Sequence, residues 1–376
     1  MGPLLHTLEA PLALAAAGLL AAALAFIAGG LMIRAGLFPD HPNGRSSHAR
    51  VTPRSGGLAI MAAWLVGLFV AAVFWGDRAF ADAAARFAVL GFLAMMVGLA
   101  DDRFELTPLW KLAGQIAAGS LFVWIFGAVE LAPAPFIGEV DLGVFGVFLT
   151  ILWIVAFMNV FNFMDGTNGL AASCGVFFLS ALCVSAGYSG AAFGAVAALV
   201  LGLALIGFLP RNFPHARLFM GDGGSQGVGF LIAAAAVFAA NAPGPGASAL
   251  FAPTVMAAFL IDTGFTLAHR IMRRKNITHA HREHVYQTLL RLGASHVQVT
   301  AIYLGLTAVA TTAAVLMLRL PPRDQWLAPA LLILMFSAGA YFVFLEGRKR
   351  GFFDDVGEEL PAASPTPAPH VAQAAE

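Results

Sequence analysis

Three acidic clusters in this chain could carry phosphate and metal chemistry: Asp101-Asp102, Asp165 and Asp222. Adjacent carboxylates repel unless a cation or proton lies between them. Asp101-Asp102 therefore reads as a divalent-ion site, a general base, or an ordinary solvated pair. Asp222 stands among glycines in Met220-Gly-Asp-Gly-Gly-Ser225. Glycines let backbone approach a ligand closely, and Mg2+ prefers one or two carboxylates plus phosphate oxygens. Alone this segment also reads as a plain glycine turn; beside the other acids it is a metal candidate. Asp165 belongs to Asn159-Val-Phe-Asn-Phe-Met-Asp-Gly-Thr-Asn-Gly-Leu170, where Asn159, Asn162 and Asp165 recur every three residues and drift around one side of a helix. Asp165-Gly166 and Asn168-Gly169 are turn pairs that reverse the chain. A carboxylate and three amides where two apolar runs meet are costly near lipid, so function is the default reading and a polar hairpin the alternative.

Basic and neutral groups accompany the acids. The segment Asp40-His-Pro-Asn-Gly-Arg-Ser-Ser-His-Ala-Arg-Val-Thr-Pro-Arg-Ser-Gly-Gly57 presents arginine forks and a glycine pair entering a helix, a plausible anion binder. On charge alone it is equally an anchor for lipid headgroups. Thr107 and Pro108 look like the N-cap and first residue of a helix. Lys111 and Gln115, four apart, then share a face just inside it. Asp262, Thr266 and Arg270 also share one face, either tying spans together or supporting a site. The loop with His279, His281 and His284 lacks the companions of a catalytic zinc site. Histidines beside arginines fit better as charge stabilisers near phosphate.

The elements that must position these groups are membrane spans. The 376 residues are 59% hydrophobic and 11% charged, against about 25% charged in soluble domains. Windows of roughly 20 apolar residues predict an all-α polytopic membrane bundle of about eleven transmembrane helices, ten being possible if 169–209 divides differently. The spans are 11–33, 58–76, 83–100, 108–128, 143–161, 169–187, 190–209, 224–241, 249–270, 299–318 and 326–346. The first is too long for a cleavable signal core and reads as a retained span. Residues 1–350 form one membrane domain, and 351–376 is a Pro/Ala-rich cytoplasmic tail expected to be disordered.

Of the 21 Lys and Arg residues, only Arg78, Arg86, Arg319 and Arg323 fall on the side of the N-terminus and the loops at 77–82, 129–142, 188–189, 242–248 and 319–325. Positive residues are retained in the cytoplasm. The opposite side, with the polar clusters and the C-terminus, is therefore expected to be cytoplasmic, and the N-terminus periplasmic. Zero formal net charge predicts no nucleic-acid partner. Cys174 and Cys183 lie in one apolar run and read as packing residues. The chain has no internal repeat, which weakens a transporter reading.

Together the clusters resemble the polyprenyl-phosphate N-acetylhexosamine-1-phosphate transferase superfamily, glycosyltransferase family 4. Asp101-Asp-Arg-Phe-Glu-Leu-Thr-Pro-Leu-Trp-Lys111 is similar to its DDxxxLxxxxK motif. Asn159 to Ala171 is similar to NxxNxxDGxDGLA, and Met220 to Phe230 to MGDxGSxxxGF. The Asp40–Gly57 segment resembles PNxRxxH…PRxGG, and the ordered match runs from about residue 31 to 345.

The resemblance implies attack by undecaprenyl phosphate on the β-phosphorus of a UDP-amino sugar, with UMP leaving, by direct displacement or through an aspartyl-bound intermediate. It implies that Asp222, with Asp165, holds Mg2+ (Mn2+ being possible), that Asp101 or Asp102 assists the lipid phosphate, and that His284 stabilises the pyrophosphate. Substrate contacts are expected from Asn43, Arg45, His48, Arg54, Lys111, Asn159, Asn162, Asn168, Gly221, Ser225, His281 and Arg282. A homodimer in the bacterial inner membrane is the assembly common among relatives.

Two departures bear on the substrate. Asn168 replaces the second acid of DGxDG, and His284-Val-Tyr286-Gln287 replaces HxHH or a triple histidine. The amide at Asn168 would bind rather than ionise. The histidine departure argues against a muramoyl-pentapeptide substrate, and Arg45-Ser-Ser-His48 combined with His284-Val-Tyr-Gln287 resembles the branch that initiates O-antigen or similar surface glycans. UDP-GlcNAc is the first expectation for the donor, followed by 6-deoxy HexNAc donors. The rival from another class is a secondary transporter of anionic sugars or lipids, which would place polar groups near mid-bilayer.

Overall fold

In lipid every backbone polar group must be satisfied internally, so long apolar runs fold as helices. The structure, a computed structural model, describes residues 3–41, 51–276 and 282–353, with side chains described from Leu12 onward except Ala13. The expected contacts of Asn43, Arg45, His48 and His281, and most of the predicted tail, lie outside the described residues.

The helices are α1 (Pro3–Ala35), α2 (Gly56–Trp75), α3 (Arg78–Phe104), α4 (Pro108–Phe126), α5 (Val144–Phe163), α6 (Leu170–Tyr188), α7 (Ala192–Asn212), α8 (Gly221–Ala240), α9 (Phe251–Val255), α10 (Ala257–Met272), α11 (Val285–Arg291), α12 (His296–Met317) and α13 (Leu327–Lys349). Two small antiparallel pairs decorate the ends. β1 (Pro39–Asp40) pairs with β2 (Thr52–Pro53), and β3 (Leu131–Ala134) with β4 (Gly138–Asp141). The 129–142 connection, plain in sequence, is thus a hairpin.

Among the described residues ten helices are long and apolar enough to cross a membrane. The ninth predicted span, 249–270, is broken into α9 and α10 at Met256. The hydroxyl of Thr254 donates to the Leu250 carbonyl at 2.6 Å beside the break. The next turn tightens, with the Phe259 amide on the Met256 carbonyl.

The centre of the bundle is α8, buried from Gly223 to Val237 and packed against α2, α3, α5, α6 and α7. Between spans lipid supplies little hydrophobic drive, so close packing of small residues and polar ties do more of the work. At Gly98 a Cβ would overlap the Asp222 carbonyl and the Gly223 amide, so only glycine lets α3 lie this close to α8. At the far end a ring cluster fills the space between helices, with Phe87 edge-on to Trp64, Phe126, Phe193 and Phe238 at centroid distances of 5.4–6.0 Å. Cys174 and Cys183 are free thiols, Cys174 being fully buried. The packed chain runs on to Phe353, stacked on Phe344 at 4.8 Å.

Candidate active site

The chemistry-bearing residues sit where helices stop and start at one end of the bundle. Glu105, in the left-handed region at φ 49°, ends α3 and leaves Asp101 and Asp102 in its last turn. Thr107 and Pro108 open α4 as expected, although the Thr107 side chain makes no cap bond. Lys111 therefore lies one turn inside α4. Asn162 is in the last turn of α5, the turn carrying Asp165 follows, and α8 opens at Gly221 with Asp222 in its first turn. Gly221 has φ 75°, and a Cβ there would strike the Arg54 carbonyl; the left-handed region favours glycine.

These ends meet. Lys111 Nζ is 2.6 Å from Asp101 Oδ2 and 3.1 Å from Asp222 Oδ2. Asn162 Nδ2 donates to Asp222 Oδ1 at 3.0 Å and to Ser225 Oγ at 2.7 Å. The Gly223 amide donates to Asp102 Oδ2 at 2.8 Å. One ammonium thus bridges carboxylates from α3 and α8, while an amide from α5 fixes the far oxygen of Asp222. Charge-assisted bonds of this kind are short and strong for their type.

Asp165 is half-buried and close enough to feel its neighbours' charges. Burial pushes its carboxyl well above the usual carboxylate range, the negative charges of Asp222 and Asp102 push it further, and Arg54 opposes them. The surrounding turn is clamped from several helices. Asn168 donates its side-chain amide to the Pro214 carbonyl at 3.0 Å, Thr300 donates to the Asn168 carbonyl at 3.0 Å, and the Gly169 amide donates to Asn212 Oδ1 at 2.8 Å.

Other expected residues fall in different places. Asn159 lies one turn deeper, exchanging bonds with Gln115 at 2.7 and 3.1 Å, while Gln115 also donates to Gln226 Oε1 at 2.9 Å. Arg54 is exposed and pairs with Asp40 at 3.0 Å. The Gly56 and Gly57 amides, read from sequence as phosphate donors, are already used by the carbonyls of Phe219 and Met220 at 2.9 and 2.8 Å. The glycine pair seats α2 against the start of α8.

His284 is buried just before α11, its ring 5.6 Å from that of Phe163. Arg282 is half-buried in the same segment. Next to it, burial of Glu283 opposes ionisation, but Lys275 and Arg270 outweigh this and hold its carboxyl below the usual range.

Gln226, Tyr286 and Tyr303 lie outside the set of site residues expected from sequence. Gln226 follows Asp222 by one helical turn, a spacing that could have flagged it. Tyr303 had no sequence signal, since its partner is 41 residues away.

Asp222 and its neighbouring carboxylates are the residues that could hold Mg2+. Among the described residues no three His, Cys, Asp or Glu side chains form a closed cage. Mg2+ does not need one, because it takes one or two carboxylates and completes its shell with phosphate oxygens and water. Asp222, flanked by Asp101 and Asp102, offers hard oxygens around a single ammonium. With a divalent cation held there, the arrangement could offset phosphate charge at the end of a membrane bundle.

Comparison with known proteins identifies the family. The family model described as glycosyl transferase family 4 matches residues 84–240. A probable undecaprenyl-phosphate N-acetylglucosaminyl 1-phosphate transferase from Bacillus subtilis (strain 168) is 29% identical over 255 residues, spanning 68% of this chain and 70% of that protein. A decaprenyl-phosphate N-acetylglucosaminephosphotransferase from Mycolicibacterium smegmatis is 35% identical over 309 residues, 74% of this chain and 76% of that protein. A phospho-N-acetylmuramoyl-pentapeptide-transferase from Listeria monocytogenes serotype 4b is 33% identical over 196 residues, 50% of this chain and 60% of that protein.

Proposed function

Since the chain belongs to glycosyl transferase family 4, among the polyprenyl-phosphate N-acetylhexosamine-1-phosphate transferases, we propose that it transfers a HexNAc-1-phosphate from a UDP-amino sugar to undecaprenyl phosphate. A lipid phosphate oxygen forms the new bond to the sugar-bearing phosphorus, the bond from that phosphorus to the UMP oxygen breaks, and UMP leaves with the electron pair. The donor we favour is UDP-GlcNAc, then a 6-deoxy HexNAc nucleotide, and the role is the first membrane step of a surface polysaccharide such as O-antigen. The site would face the cytoplasm of the bacterial inner membrane, where the donor is soluble.

The observation that supports this most directly is Lys111 bridging Asp101 and Asp222 from three helix ends. Phosphoryl transfer asks little of a protein beyond positioning and charge neutralisation. Asp222 would hold Mg2+, with Asp165 beside it; bound there, the ion would polarise the diphosphate and offset its charge. Lys111 offers its ammonium to phosphate oxygens. Asp101 and Asp102 orient the lipid phosphate, and Asn162 holds Asp222 in place through its Oδ1. His284 would balance the charge building on the leaving diphosphate oxygen. A transporter is the weaker reading, because these acids gather at helix ends and not at mid-span. The muramoyl-pentapeptide reaction is also weaker, since those relatives match only half of the chain.

The test is purified protein with undecaprenyl phosphate, Mg2+ and a panel of UDP-sugars, scored by UMP release. The expected result is Mg2+-dependent release with UDP-GlcNAc or a 6-deoxy HexNAc donor, lost by at least about a thousandfold in Asp222→Asn. Transport without UMP release, or near-normal turnover of the folded variant, would overturn the reading.

A further inference from the structure

Asp262 is the most heavily engaged carboxylate among the described residues, and it lies on α10, away from the Lys111 cluster. Its side chain is 1% exposed. One oxygen accepts from the Val285 amide at 3.0 Å, lies 3.1 Å from His284 Nδ1, and takes a long bond from Thr266 at 3.4 Å. The other accepts from the Tyr286 amide at 3.0 Å and from the Tyr303 hydroxyl. A buried carboxylate without partners is costly, and this one is supplied from α10, α11, α12 and the segment before α11.

Every firm partner is a donor, and an ionised carboxylate only accepts. The 3.1 Å contact is a hydrogen bond to Asp262 in the tautomer that carries the His284 ring proton on Nδ1, with Nε2 at the opposite end of the imidazole. The Val285 and Tyr286 amides fix the backbone that follows. Gln287 closes the segment by accepting from the His284 amide at 3.2 Å. Tyr286 then reaches the turn of Asp165: its hydroxyl donates to the Phe163 carbonyl at 3.0 Å and lies where a side chain on Gly166 would be. Phe163 and Gly166 flank Asp165 in the chain. Burial and the nearby charges of Asp262 and Asp165 push the Tyr286 hydroxyl above its usual range, so it stays protonated as a donor.

We propose that Asp262 is a positioning residue for the transfer reaction, setting the tautomer and seat of His284 without touching substrate itself. The inference rests on the phosphoryl-transfer reading above. A purely structural tie between α10, α11 and α12 is the competing account, and it makes different predictions.

The experiment compares Asp262→Asn, His284→Ala and the double variant in the full chain, measuring kcat and KM for UMP release and normalising to folded protein. Asn at 262 cannot accept at both oxygens and turns an amide toward the ring. By analogy with other carboxylate–histidine pairs, kcat should fall about 10- to 100-fold, with the KM for the UDP-sugar changed by less than about threefold. Acting through one histidine, the two losses should not multiply, so the double variant should be no slower than His284→Ala alone. Multiplying losses, or unchanged kcat with only a lower unfolding temperature, would overturn the proposal.

A second readout needs no turnover. In protein labelled with 15N-histidine, the His284 resonances, identified by their loss in His284→Ala, should report a proton on Nδ1 in the parent chain and a move toward Nε2 in Asp262→Asn. An unchanged pattern would sink the proposal. Absence of UMP release in the parent chain would sink the reaction reading alone.

Discussion

Lys111 reaches across 111 residues of chain to place its Nζ 3.1 Å from Asp222 Oδ2, while holding Asp101 at 2.6 Å. Removing that ammonium leaves carboxylates from α3 and α8 facing each other. Lys111→Met should therefore lower kcat/KM for UMP release by about a hundredfold or more, since it removes a fixed charge where phosphate charge develops. Lys111→Arg should rescue only poorly, because a planar fork does not fit where a compact ammonium bridges two oxygens. Steady-state kinetics of both variants check this.

Asp165 gives a pH dependence with a defined sign. Burial, then the charges of Asp222 and Asp102, raise its folded-state carboxyl above the ordinary value, which is about 4. Folding thus favours its protonated form. The associated stability is present below the ordinary range and lost as pH rises through the raised value. Asp165→Asn should flatten that part of the profile and be at least as stable as the parent chain at pH 7 to 8. Unfolding temperatures of both proteins from pH 4 to 8, without divalent ions, provide the comparison.

Gln115, buried between α4, α5 and α8, joins Asn159 and Gln226. Gln115→Ala strands those amides among apolar side chains, at about 1–3 kcal/mol for each buried group left unsatisfied. The expected result is a clear drop in unfolding temperature with activity per folded molecule reduced less than tenfold, since the Lys111 cluster lies a turn away. Thermal unfolding and turnover measured on the same preparation separate the two effects.

Gly98 tests how tightly the site depends on helix spacing. A Cβ there overlaps backbone of Asp222 and Gly223, which cannot move aside as a side chain could. Gly98→Ala should spread α3 from α8, destabilise by about 1–3 kcal/mol and cut turnover more than tenfold. Gly264→Ala, where nothing lies within 4 Å, should leave turnover within about twofold. The paired variants need only an activity assay and a melting curve.

Much of the site was legible because acids in apolar sequence are costly and therefore informative. Asp101, Asp102 and Asp222 mark span ends, and Lys111 and Gln115, expected on one face of a helix, bond to acids and amides of the neighbouring helices α3, α5 and α8. What spacing does not carry is partner identity across helices. Nothing near Asp262 in sequence announces Tyr303 or the amides of Val285 and Tyr286. Nor does a hydropathy window register a break in the helix, so 249–270 reads as one span where the chain divides at Met256 into two helices. Gly56-Gly57 misled for a related reason: free helix-start amides and amides already taken by Phe219 and Met220 look alike in sequence.

The order of Asp101, Lys111 and Asp222 along the chain also bears on how the protein is made. At roughly 5–20 residues per second, about 6 to 20 seconds of synthesis separate the emergence of Lys111 from that of Asp222. Asp101 has its ammonium only ten positions downstream, so that pair needs no later helix, whereas the contact with Asp222 must wait for α8. The last-arriving carboxylate then docks onto a charge that has been waiting for it.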